Sequence, residues 1–127
     1  MPPDISKEHA VETYKSLIQI SVETMKLLAL LNGGAVVALL AYLGNVSGKG
    51  ASVPDMRFPM GCYIAGLVSC GLTFFLSYLT QLCLYDESMG LVKGQAHHVW
   101  LRMAFGFGLF SLTAFAVGSY FAALRFR

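Results

Sequence analysis

Asp86, Glu87, His97 and His98 bring two carboxylates and two imidazoles into one short stretch, a donor set that zinc would accept. Their spacing argues against it. Adjacent histidines on a loop seldom aim at one ion, and neither HExxH nor another helical ligand pattern is present. Glu87, His97 and His98 are therefore read as solvated residues at a membrane boundary. A proton-sensing role for the two histidines is the sharper alternative, because histidine titrates near neutral pH. Cys62, Cys70 and Cys83 lie in one apolar stretch without CxxC spacing or a nearby histidine, and are read as small buried side chains.

A second constellation is polar but uncharged. Cys62, Gly66, Ser69/Cys70, Thr73, Ser77 and Thr80/Gln81 recur at steps of three or four, which puts them on one helical face. Ala104, Gly108, Ser111, Gly118 and Ala122 form a similar stripe, and Gly34, Ala38 and Ala41 a third. In lipid, small residues let helices approach and hydroxyls bond across the contact. The reading taken is that these faces hold helices together; the alternative is that the Ser69–Thr73–Ser77 face lines a pore between several copies. Asn32-Gly33-Gly34 adds an amide and two glycines inside an apolar run. Asn32 is expected to bond Gln81, a hydroxyl of the second span or its own copy, and the glycines to permit a bend or close approach.

The elements that must position these residues follow from composition. The 127 residues are 56% hydrophobic and only 13% charged, with mean hydropathy +0.62, where a soluble domain carries about 25% charged residues. A chain this small has too little interior to hide so much apolar surface from water. The expected fold is therefore an all-α integral membrane protein of one domain, 1–127, with three transmembrane helices. Val11, Tyr14, Leu17/Ile18, Val22, Met25 and Leu28 keep a helical period opposite Lys7, Glu8, Glu12, Lys15, Glu23 and Lys26. An amphipathic helix is thus expected to continue into the first span over 5–43, about 58 Å at 1.5 Å per residue. That exceeds the roughly 30 Å hydrocarbon core, so its first half should stand out of the membrane or lie along it.

Gly44-Asn45, Ser47-Gly48, Gly50, Pro54-Asp55 and Pro59 predict a loop over 44–59. Residues 60–85 are uncharged and predict the second span, 86–98 a loop, and 99–124 the third span, with Trp100 and Arg102 as headgroup anchors. The long acidic-containing tail before the first apolar run does not read as a cleaved signal peptide, so a retained anchor is expected. Asn45-Val46-Ser47 matches a glycosylation acceptor, but it abuts the first span and is taken as chance.

Three spans place the termini on opposite sides. Lys7, Lys15, Lys26, Lys93 and Arg102 collect on the N-terminal side, against Lys49, Arg57, Arg125 and Arg127 on the other. The margin of one favours a cytoplasmic N-terminus, and a bacterial inner membrane is the expected location.

No catalytic signature is present: no phosphate loop, no G-x-S-x-G elbow, and no carboxylate or histidine within a span. An ion-coupled carrier keeps an ionisable group at membrane depth, and a b-type haem would need histidines there, so neither an enzyme nor a cofactor is expected. A net charge of +2, scattered along the chain, excludes a nucleic-acid footprint. The function expected is that of a non-enzymatic accessory or assembly subunit acting through helix packing. Its partners would be the lipid bilayer and either copies of itself or a larger membrane complex. The alternative is a self-assembling pore; the chain resembles holin-like pore formers in general outline, with no shared motif.

Overall fold

The computed structural model describes residues 3–50, 52–91 and 97–126, with side chains from residue 7. It is all-helical: α1 spans Pro3–Gly48, α2 Arg57–Ser88 and α3 His97–Arg125. At 1.5 Å per residue these are about 69, 48 and 44 Å long. Each is long and apolar enough to cross a membrane.

The helix ends differ from the expected ones, and backbone geometry gives the reason. α1 passes straight through Gly44-Asn45 and stops at Gly48, where Gly50 adopts a positive φ of 68° and donates to the Ser47 carbonyl at 3.1 Å. α2 likewise runs past Asp86 and Glu87 to Ser88. Gly90, at φ 71°, then turns the chain, with Gly90 N–H on Glu87 O and Leu91 N–H on Asp86 O. A residue beyond a helix end that takes up the left-handed conformation satisfies the last carbonyls, and glycine does so without a Cβ penalty. At its start α2 includes Pro59, which the first turn tolerates because its missing N–H has no helical acceptor there. Asp55 Oδ1 accepts the free Arg57 N–H at 3.1 Å. α3 begins at His97, two residues before the expected span.

α2 and α3 form a closely packed antiparallel hairpin. The residues α3 turns inward are Ala104, Ser111, Ala114, Gly118 and Ala122; those it turns outward include Phe105, Leu109, Phe110, Leu112 and Tyr120. On α2 the buried residues include Gly66, Ser69, Cys70, Thr73 and Thr80, while Val68, Leu72, Phe75 and Tyr78 face out. Small and hydroxylated residues inside with bulky apolar ones outside invert the soluble pattern and match helices packed in lipid.

α1 lies antiparallel to α2. Its C-terminal half packs through Leu39 against Met56 and Tyr63, with Ala35, Val36, Tyr42, Leu43, Met60 and Phe115 around them. Its N-terminal stretch is different: every residue from Lys7 to Ser21 is exposed.

Candidate functional site at the three-helix junction

The three helices meet around Asn32. Its side chain is fully buried. Nδ2 donates to Leu28 O one turn back at 3.0 Å, and across the interface to Ser111 Oγ at 3.2 Å and Ser111 O at 3.4 Å. A carbonyl oxygen can only accept, so these partners fix which end of the amide is nitrogen. Oδ1 is thereby turned toward α2, where it has no hydrogen-bond partner among the described residues. What it meets is Gly66. A Cβ there would collide with the amide oxygen and would stand 2.7 Å from Asn32 Cγ. Gly66 is the position at which α1 presses a polar side chain directly against the backbone of α2.

Asn32 was expected to bond Gln81, a hydroxyl of the second span or its own copy. It bonds Ser111 of α3 instead. Gln81 lies far along α2 and is exposed, its Oε1 accepting from the Tyr14 hydroxyl at 3.0 Å. The neighbouring glycines do not supply the close approach either. Gly33 has only Leu67 Cδ1 near the position of a Cβ, at 3.9 Å, and Gly34 has nothing within 4 Å. The helix continues unbroken through both, and Ala38 and Ala41 are exposed with Gly34.

The hydroxyl face of α2 is packed inside the bundle. Ser69, Thr73 and Thr80 are buried and Ser77 half-buried. Their expected bonds across the contact are not what is found: Thr73 Oγ1 donates to Ser69 O and Thr80 Oγ1 to Leu76 O, both at 2.9 Å within the helix. Threonine in an apolar helix satisfies its hydroxyl on the carbonyl one turn back. Its contribution to the contact is therefore size. Gly108 sits over the Thr73 methyl, where a Cβ would lie at 3.9 Å, and Gly118 sits over Tyr63 and Cys62, at 3.0 and 3.1 Å. Two further interhelical bonds have no counterpart among the expectations: Tyr63 hydroxyl to Ser119 Oγ at 3.1 Å, and Cys70 Sγ to Met25 O at 3.2 Å. Ser119 neighbours Gly118 on the α3 stripe, which was the available signal.

Far from this junction, His97 Nδ1 and Glu87 Oε2 approach to 2.7 Å with side chains less than a fifth exposed. The His98 ring lies against that of His97, centroids 4.1 Å apart. Read as solvated, Glu87 and His97 are instead a largely buried pair joining the end of α2 to the start of α3. Among the described residues no third His, Cys, Asp or Glu completes a metal-binding group. Lys93, between the two helices, lies outside the described residues.

These contacts set a common register. Asn32, Gly66 and Ser111 share a layer, and charge is absent for some distance on either side. Toward the C-terminus of α1, Arg57 is about 13 Å and Arg125 about 21 Å along the axis; the other way, Lys26 is about 9 Å and Arg102 about 13 Å. Lys26 is exposed and pairs with Glu23 at 2.9 Å. Family models, curated proteins and solved structures contain no match to this chain.

Proposed function

We propose that this chain is an integral, multi-pass membrane protein that acts without catalysis, as an accessory or assembly subunit, by presenting the N-terminal arm of α1 to a partner. The charge-free slab around the Asn32–Gly66–Ser111 layer is 20–35 Å thick by the distances above, of the order of the roughly 30 Å hydrocarbon core. Lys26 and Arg102 reach one boundary and Arg57 and Arg125 the other, long side chains carrying their charges to water. On this placement α1 leaves the bilayer near Lys26, while α2 stays uncharged as far as Asp86, about 30 Å from the Gly66 layer. We assign the arm to the cytoplasmic side on the small excess of Lys and Arg there.

The observation that carries the reading is the arm's isolation. Val11 is 52% exposed, Tyr14 47% and Leu17 57%, and among the described residues the arm's side chains make one tertiary hydrogen bond, Tyr14 to Gln81. A helix with a large-residue apolar row and no internal support is stabilised by something outside it. The α2 hydroxyl face, by contrast, is already occupied by the chain's own helices. A pore reading would need that face turned to a lumen, which favours the accessory role.

The test uses full-length protein extracted from its native membrane in mild detergent. L17K with I18K should leave insertion and bundle stability intact while reducing the mass of the native complex. An unchanged complex would remove the arm from its proposed role. Ion efflux from liposomes holding the unmodified protein would support the pore instead.

A further inference from the structure

Among the described residues α1 and α3 meet where Asn32 bonds Ser111 and again where Tyr42 meets Phe126, the rings edge to face at 4.8 Å. Between these levels the seam is open. A groove of about 270 Å³ runs there, walled by Ala35, Ala38, Leu39, Phe115, Ser119 and Ala122. Its lining is almost wholly apolar, and the Ser119 hydroxyl is engaged by Tyr63. The groove is smaller than the roughly 300–1,000 Å³ of sites for drug-sized ligands. Its lining runs from Ala35 to Tyr42 on α1 and from Phe115 to Phe126 on α3, the longer wall about 16 Å, half the roughly 30 Å core and so the depth of one leaflet. Its outer end is cationic. Arg125 precedes Phe126, Lys49 lies two turns beyond Tyr42, and Arg57 begins α2 at the same end. The only acidic residue there among the described ones, Asp55, already accepts the Arg57 backbone N–H.

We propose that this groove binds one acyl chain of an anionic phospholipid whose phosphate is held between Lys49 and Arg125. The proposal rests on the membrane placement above. Length selects a single leaflet's chain, the apolar wall takes the methylenes, and the charge at the mouth selects the headgroup. A second copy of the chain would fill the groove with side chains but would leave the cations unpaired.

Full-length protein would be reconstituted in vesicles of equal phosphatidylcholine and phosphatidylglycerol with matched chains, then released in mild detergent and weighed intact with its bound lipid. One retained phospholipid per chain is expected, with phosphatidylglycerol favoured about five- to thirtyfold, the scale that one or two cations supply at an anionic surface. K49Q with R125Q, both exposed, should bring that preference close to one while lipid is still retained. A38F, which fills the groove from its exposed edge, should lower retention of both lipids. Reconstituted protein that keeps no lipid, or keeps it equally in A38F, overturns the groove proposal alone. So does a dimer that A38F dissociates. Failure to enter the vesicles at all overturns the membrane placement beneath it.

Discussion

The two halves of α1 share one helix and one apolar period, yet they meet the α2–α3 hairpin in opposite ways. From Lys7 to Ser21 most side chains are large or charged, every residue is exposed, and the side-chain hydrogen bond to α2 among the described residues is a tyrosine reaching a glutamine. From Leu28 to Leu43 the side chains are uncharged, and Leu28, Asn32 and Leu39 are buried. The difference lies less in α1 than in what α2 offers. Gln81 meets the arm through an exposed side-chain hydrogen bond, whereas Gly66 offers bare backbone and lets Asn32 seat against it. In a bilayer, where apolar bulk gives helices no preference for one another, the absence of a side chain decides where they join.

The comparison breaks first at Gly66. In G66A the new methyl meets a fully buried amide that cannot swing away without giving up Leu28 and Ser111. Thermal unfolding in detergent should show a loss of about 1–3 kcal/mol, the usual cost of overpacking. I18K in the arm should change the same measurement by no more than about 0.5 kcal/mol, as exposed substitutions do. G118A comes next, at about 1 kcal/mol, because the Tyr63 ring and the Cys62 Cβ need yield only a few tenths of an ångström. A double-mutant cycle of N32L and S111A should return a coupling near 0.6 kcal/mol, the mean for hydrogen bonds between membrane helices. N32L alone should cost little, because it removes an unpartnered buried carbonyl along with the bonds. G34A has the opposite sign: it meets nothing within 4 Å and should be neutral or stabilising by a few tenths of a kcal/mol, up to about 1, through helix propensity.

The contrast between Gly34 and Gly66 also measures what could be read from the residues alone. Three apolar helices, and the stripes on α2 and α3 that pack the hairpin, follow from hydropathy and three-to-four spacing. Periodicity names a face without naming its partner, so the α1 stripe of Gly34, Ala38 and Ala41 looked equivalent to the others and is exposed. The partner of Asn32 depended on the axial register of α1 against α3, set by contacts distributed over both helices. The helix ends were misplaced for a related reason. Several glycines and two prolines compete in 44–59, and only Gly50 takes the positive φ that closes α1. The Glu87–His97 pair depends on the end of α2 and the start of α3 lying side by side, which no local spacing encodes.

On the proposed placement α1 leaves the bilayer near Lys26 while remaining one helix, with Asn32 about 9 Å inside that boundary. This placement is tested most directly by spin labels placed singly along residues 8–45 of the reconstituted protein, with Cys62, Cys70 and Cys83 replaced by serine or alanine. Collisions with a water-soluble nickel complex should dominate from Glu8 to about Glu23 and fall away beyond Lys26. Oxygen accessibility should rise in turn on the exposed positions Leu30, Val37 and Leu40. Nickel access that persists through Leu40, or is already absent at Glu12, would contradict it.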